Sequence, residues 1–146
     1  MNWIYEFFNI QPPDEDFTST LIELTKTEID RQPSEITFVK IIYKAFSISE
    51  ENINKNRKRK YVQPRQVHMY VRHLFFKQKS RVAGSVYQKD HATVLHAVKH
   101  INNLLETERE FRELTLPIWM YWQSFNEPFP CEFPVKMVEL IRESII

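Results

Sequence analysis

Asp90-His91-Ala92-Thr93-Val94-Leu95-His96-Ala97-Val98-Lys99-His100-Ile101-Asn102-Asn103-Leu104-Leu105 is the stretch whose pattern settles the fold class. Val94, Ala97, Val98, Ile101, Leu104 and Leu105 recur at alternating steps of three and four, which places them on one stripe of an α-helix. Ala92, Thr93, His96, Lys99, His100 and Asn103 fall on the opposite face. Asp90 stands just ahead of the stripe, where a carboxylate can accept from the unpaired N–H groups of a first turn. One face must therefore be buried while a polar, partly basic face is left outward.

Working upstream, Tyr87-Gln88-Lys89 reads as a turn, and a short helix is expected around Val82 to Val86. Before it, Val67, Tyr70, Val71 and Leu74 form an i, i+3, i+4, i+7 stripe, with Pro64 expected at the first position of that helix. Asn54-Lys55-Asn56-Arg57-Lys58-Arg59-Lys60 is a basic loop with no apolar residue to bury. Ser34 is expected to cap a helix bearing Ile36, Val39, Ile42, Ala45 and Phe46, and Ser49 a short turn from Glu50 to Ile53. Downstream, Thr107 and Glu110 have the spacing of a capping box for a helix over about 108–114. Residues 115–133, crowded with proline and aromatics, are expected to lie irregularly across a core. Pro134 then opens a terminal helix with Val138, Leu140, Ile141 and Ile145 as its apolar positions. No strand pattern occurs in 34–114, so the core is expected to be all-α. The expected organisation is an extension over 1–33, a helical domain over 34–114, and an aromatic, proline-rich extension over 115–146.

Net charge is +1, but it is unevenly divided. Residues 55–100 hold 12 Lys and Arg against Asp90 alone, leaving 8 against 18 acids elsewhere. All five histidines (His68, His73, His91, His96, His100) lie in the same basic stretch. Such polarisation is the footprint of a nucleic-acid surface. Gly84 is the only glycine, which excludes a Walker loop or a dinucleotide fingerprint within the chain, so no nucleotide is expected as ligand. Cys131, the only cysteine, excludes an internal disulfide and a cysteine-rich zinc site. The N-terminus lacks the pattern of a secretory signal, and no run is long and apolar enough to span a bilayer, so the reading is cytoplasmic. No nucleophile–base pair or carboxylate pair stands out, and neither enzyme activity nor a cofactor is expected. His96 and His100 have zinc-compatible i, i+4 spacing but lack a glutamate after the first histidine, so no metal is expected.

A short helix, a turn and a longer helix opening on small polar residues form the arrangement that enters a major groove. Asp90 can accept from cytosine N4, His91 can donate or accept, and Ala92 and Thr93 can touch a thymine methyl. A basic loop elsewhere on the domain can grip phosphates or send an arginine into the minor groove. The expected partner is double-stranded DNA.

The run Asp90-His91-Ala92-Thr93-Val94-Leu95-His96-Ala97 closely resembles the signature of the C-terminal DNA-binding domain of the bacterial replication initiator DnaA. The similarity continues through Arg57-Lys58-Arg59-Lys60-Tyr61-Val62-Gln63-Pro64-Arg65-Gln66 and through Phe46-Ser47-Ile48-Ser49-Glu50-Glu51-Asn52-Ile53, covering roughly 35–114. The resemblance implies a Trp-repressor-like helix-turn-helix domain that binds a short duplex site. It implies Arg57 in the minor groove, Arg65 and Gln66 in or beside the major groove, and Asp90, His91, Ala92 and Thr93 reading bases. Lys99 and the loop cations Lys55, Lys58, Arg59 and Lys60 fall to phosphates, and Lys79, Lys89 and His96 are assigned with them. Ala92 stands where the initiator commonly has a hydroxyl residue, and Tyr87-Gln88-Lys89 stands where it usually has glycines. The helix from Ser80 to Gly84 lacks the usual Leu-Pro and Ile-Gly pairings. The initiator carries an ATPase module ahead of this domain, which the glycine count excludes here. The expected role is therefore a replication accessory or regulatory protein that occupies sites. The competing expectation is a repurposed interaction or structural module in a larger assembly, its basic face meeting an acidic partner or nonspecific nucleic acid. Either extension is a candidate surface for a homodimer or a protein partner.

Overall fold

A computed structural model describes residues 33–49, 59–125, 128–129 and 133–145. Among them are six α-helices and no strand: α1 (Glu35–Ala45), α2 (Arg59–Tyr70), α3 (Ser80–Ser85), α4 (His91–Thr107), α5 (Arg109–Gln123) and α6 (Val135–Ile145). A π-helical turn, Val71–Phe75, continues α2 without a break. The all-α expectation holds. The turn expected from Glu50 to Ile53, and most of the basic loop, lie outside the described residues.

The main core joins every long helix. Phe38, Ile41 and Ile42 of α1 meet Val67 and Tyr70 of α2, and Ile101, Leu104 and Leu105 of α4. Trp119 and Trp122 of α5 and Met137 and Ile141 of α6 close the same cluster. Aromatic edges dominate its centre: Phe38 packs at 4.9 Å on Tyr121, and Phe75 at 4.9 Å on Trp122, both edge-on. Trp119 and Trp122 are core residues, with Trp119 Nε1 donating to Thr115 Oγ1 at 3.0 Å and Trp122 Nε1 to the Pro128 carbonyl at 3.2 Å.

Several local expectations give way to packing. The α1 face is rotated: Ile36 is 71% exposed, while Phe38 and Ile41 are buried. Apolar residues cover more than half of this helix's circumference, opposite a face of Thr37, Lys40 and Lys44, so periodicity alone does not choose the centre of the buried face. Ser34 is the N-cap residue without a side-chain cap bond; its N–H donates instead to the Tyr121 hydroxyl at 3.0 Å. Pro64 lies inside α2 rather than at its first position, because the helix already begins at Arg59. Proline there forfeits one backbone bond, a cost offset by the burial of Val67, Tyr70 and Val71 beyond it. The π turn adds a residue to the stripe, with Phe76 N–H bonding back to the Val71 carbonyl at 3.1 Å. Phe75 thereby takes the deep position expected of Leu74, which is only partly buried.

The Thr107–Glu110 capping box does not form. Thr107 is still in α4, its hydroxyl donating to the Asn103 carbonyl at 2.8 Å. The end of α4 is closed instead by Arg112, whose Nη1 donates to the Leu105 and Glu106 carbonyls at 3.0 and 3.1 Å. Nor are residues 115–123 irregular, since α5 runs through Pro117 to Gln123 and the boundary expected at 114/115 falls inside it. The stripe Phe111, Thr115, Ile118, Trp119 and Trp122 buries too much area for one proline to interrupt. In α6, Met137 is buried where Ile145 was expected to be.

A smaller cluster holds α3 against α4. Met69, Ala83, Tyr87, Val94 and Ala97 form it, and Gly84 lies between them and the turn. A Cβ on Gly84 would overlap the Lys89 carbonyl oxygen and come within 2.8 Å of Val94 Cγ2. The turn itself closes with Lys89 N–H on the Gly84 carbonyl at 2.9 Å and Gln88 N–H on the Ser85 carbonyl at 3.1 Å. Gln88 carries a φ of 57°, the left-handed conformation that usually falls to glycine at a helix C-terminus. Ser47 does the same after α1, at 53°. Gly84→Ala is predicted to destabilise the fold by about 1–3 kcal/mol, as overpacking does. Gln88→Gly is predicted to leave stability unchanged or raise it by up to about 1 kcal/mol. Urea midpoints of the two variants check the pair.

Candidate nucleic-acid interface

The candidate site is the outward face of α4 together with the turn before it. Asp90 is the N-cap of α4, its Oδ1 accepting from Thr93 N–H at 2.9 Å and from the Thr93 hydroxyl at 2.7 Å. Those two bonds hold the Asp90 carboxyl below the usual carboxylate range. Both Asp90 oxygens cannot be spent this way, because Oδ1 takes both bonds and Oδ2 stays open to a donor. Thr93 has committed its hydroxyl proton but keeps its methyl and an oxygen lone pair. His91 and Ala92 are exposed and Thr93 half-buried, so the four residues stand at an open helix end.

The flank is cationic. Lys79, Lys89 and Lys99 are exposed, as are Arg81 and His96, and none of these enters an ion pair found among the described residues. Lys60 is exposed, its Nζ 5.6 Å from the centroid of the Tyr61 ring. Arg65 and Gln66 lie on α2 one turn before Met69, the residue that packs on Ala83, Val94 and Ala97. That placement brings the expected α2 pair to the helix that supports α3 and α4. Both are half-buried; Gln66 Oε1 is shielded from solvent without a hydrogen-bond partner among the described residues, so a contact from Gln66 falls to Nε2. Arg59 begins α2. Lys55, Arg57 and Lys58 lie outside the described residues. His96 and His100 stack in parallel with centroids 6.3 Å apart, and no group of three or more metal-ligating side chains occurs among the described residues.

Beneath this surface lies a polar network that the sequence pattern did not reveal. His68 is buried, with Nδ1 2.7 Å from the Tyr87 hydroxyl and Nε2 3.5 Å from Glu35 Oε1. The same carboxylate oxygen is 2.8 Å from Arg72 Nε, and Gln78 Nε2 donates to Glu35 Oε2 at 3.3 Å. Tyr43 Oη is 3.4 Å from Tyr87 Oη. Glu35 opens α1 and Tyr87 sits in the turn before α4, so the network spans the domain to the base of the site. The only sequence signal was a histidine adjoining Val67 in an apolar stripe. Burial pushes His68 down to about 4, against the smaller upward pull of Glu35. It is neutral at pH 7, and a carboxylate beside Nε2 favours the proton there, leaving Nδ1 to accept from Tyr87.

Residues 37–101 match the family described as "Bacterial dnaA protein helix-turn-helix". The chain is 35% identical over 101 residues to the chromosomal replication initiator protein DnaA of Wolbachia sp. subsp. Brugia malayi, covering 68% of this chain and 22% of that protein. The DnaA of Flavobacterium psychrophilum is 29% identical over 108 residues, covering 73% and 23%, and that of Bacteroides fragilis 39% over 77 residues, covering 51% and 16%. The chain thus spans less than a quarter of the length of these relatives, and the resemblance to the DnaA C-terminal helix-turn-helix is established for that part. No solved structure matches. Among the described residues no helix is long and apolar enough to cross a membrane.

The unfolded chain protonates His68 near 6.5 and the folded one only near 4, so between those values the unfolded state binds more protons. Stability is therefore predicted to fall as pH drops from 6.5 towards 4. His68→Gln should flatten that slope, measured by thermal melts across the pH series. Asp90 shifts in the opposite sense to an isolated carboxylate being buried. Its cap is intact above the ordinary carboxylate range and lost as pH falls through its depressed value.

Proposed function

We propose that the protein binds double-stranded DNA in a sequence-specific manner, with the first turn of α4 in the major groove. The observation that carries the reading is the open, cation-flanked helix start at Asp90–Thr93, held in place by the close contact at Gly84. In this reading Asp90, His91, Ala92 and Thr93 meet base edges, Arg65 and Gln66 approach the same groove, and Arg57 enters the adjoining minor groove. Lys55, Lys58, Arg59, Lys60, Lys79, Lys89, His96 and Lys99 hold phosphates and fix the register.

The DnaA relatives are named as chromosomal replication initiators, and a role in controlling replication is carried from those names to this chain. With one glycine, these 146 residues contain no phosphate-cradling loop. The role assigned to them is site occupancy, as an accessory or regulator, without catalysis. Residues 34–114 hold the DNA-contacting side chains of this reading, on a core that they share with Trp119, Trp122, Met137 and Ile141. The segments 1–33 and 115–146 are its candidates for a homodimer or protein contact, which paired half-sites would reward.

Selection of bound sites from a random duplex library is expected to return one short motif. His91→Ala and Thr93→Ala should lower the ratio of specific to nonspecific affinity by about tenfold or more. Lys99→Ala should weaken all duplexes alike and reduce the salt slope by about one. No enriched motif, or a motif unchanged by both α4 substitutions, overturns the reading in favour of a nonspecific or protein-binding basic face.

A further inference from the structure

In the proposed reading two separate segments must reach one duplex at once, the start of α4 and the pair Arg65 and Gln66 on α2. His68 lies two residues beyond that pair on α2, and Tyr87 stands three residues before Asp90 in the turn that leads into α4. Their side chains meet beneath the surface, with His68 Nδ1 2.7 Å from the Tyr87 hydroxyl and the two rings edge-on at 5.4 Å. The Tyr87 ring also lies in the apolar cluster of Met69, Ala83, Val94 and Ala97. Apolar burial is non-directional, so it resists separation from α2 but sets no angle. A short hydrogen bond does set one, because it weakens steeply with misalignment. The acceptor is itself fixed: Nε2 faces Glu35 Oε1 at 3.5 Å, which draws the imidazole proton there and leaves Nδ1 for the hydroxyl. Tyr43 of α1 brings its own hydroxyl within 3.4 Å of the same oxygen, and the charges of Arg65 and Arg72 act on it as well.

We propose that Tyr87 and His68 are positioning residues for base reading, their hydrogen bond seating the turn on α2 and so fixing the first turn of α4 relative to Arg65 and Gln66. The inference rests on the proposed function, and neither residue touches a nucleotide in it. The close contact at Gly84 makes α3, the turn and α4 one rigid unit. The Tyr87–His68 bond sets how that unit sits on α2. A turn of small residues would offer no such handle, since only a long side chain reaches α2 from it. Without the bond the unit keeps its apolar contacts but gains freedom to pivot. Base reading needs fixed geometry and suffers from that freedom, whereas phosphate contacts through long cationic side chains tolerate it.

The test uses the full chain as wild type, Tyr87→Phe, His68→Leu and the double variant, each titrated at pH 7 and well below its melting temperature. The probes are the duplex motif recovered by random selection and a scrambled duplex of the same length. Tyr87→Phe keeps the ring and removes only the hydroxyl. Each single variant is expected to lower the ratio of specific to nonspecific affinity by about three- to tenfold. The double variant should lose no more than the worse of the two, because both remove the same bond. Affinity for the scrambled duplex and its salt slope should stay at wild-type values, since His68 is neutral at this pH and no charge is removed. Melting temperatures should fall in all three variants, and a purely structural role would end there. Wild-type discrimination in Tyr87→Phe, or losses that add in the double variant, overturns the inference and leaves the proposed function standing. A library that yields no motif with the wild type overturns the proposed function and this inference with it, an outcome recognisable before any variant is made.

Discussion

The backbone of Lys89 passes so close to Gly84 that no side chain fits between them, and the presentation of α4 depends on that contact. A methyl group there would push the Lys89 carbonyl and Val94 outward together, tilting the first turn of α4 away from α3. The turn has no slack, since Gln88 already occupies the left-handed conformation and three backbone bonds, from the N–H groups of Tyr87, Gln88 and Lys89, close the end of α3. A chain with a single glycine has placed it where backbone meets backbone, and has let Ser47, Lys77 and Gln88 bear the left-handed positions at helix ends. The difference in cost explains the choice. A left-handed non-glycine residue costs about 1–2 kcal/mol, whereas an overlap with backbone cannot relax without moving an element.

The second constraint comes from below. Tyr87, in that same turn, is tied through His68 to Glu35 at the start of α1, where Arg72 and Gln78 also converge. Burial keeps His68 neutral, so the network tolerates a low-dielectric site with one carboxylate and one guanidinium in balance. Apolar packing of Met69 on Ala83 and Val94 supplies adhesion between α2 and the helix pair, and the polar ties supply orientation. The aromatic core around Trp119 is remote from this turn in sequence, yet it holds α1 and α2 in the positions from which Glu35 and His68 reach Tyr87.

How much of this was legible in the sequence differs by element. The α4 stripe was readable residue by residue because one face is apolar and the other polar, and the Asp90 cap follows from a carboxylate placed before that stripe. The face of α1 was not, since its apolar residues spread over more than half of the circumference and only tertiary contact selects Phe38 and Ile41 over Ile36. A π turn shifts a pattern by one residue without any local signature, which is why Phe75 took the place of Leu74. Pro117 argued for irregular chain, but the decisive term was the aromatic stripe on both sides of it. The Glu35–His68–Tyr87 network joins residues 52 positions apart, and no spacing rule reaches that far. At the site, the positions of Asp90, His91, Ala92 and Thr93 at an open helix start were legible, whereas the shielding of Gln66 Oε1 required the packed structure.

Taken together, a rigid turn, a neutral buried histidine beneath it and an unneutralised cationic rim present one short surface of α4 outward. The groove between α5 and α6, lined by Arg109, Arg112, Lys136, Glu139 and Glu143, carries mixed charge instead. The most direct measurement is a titration of isotopically labelled protein with its selected duplex, followed by backbone amide NMR. The account predicts that the largest shifts cluster at residues 89–99 and at Arg65 and Gln66, with the amides of α6 unmoved. Shifts centred on the groove between α5 and α6, with 89–99 silent, would contradict it.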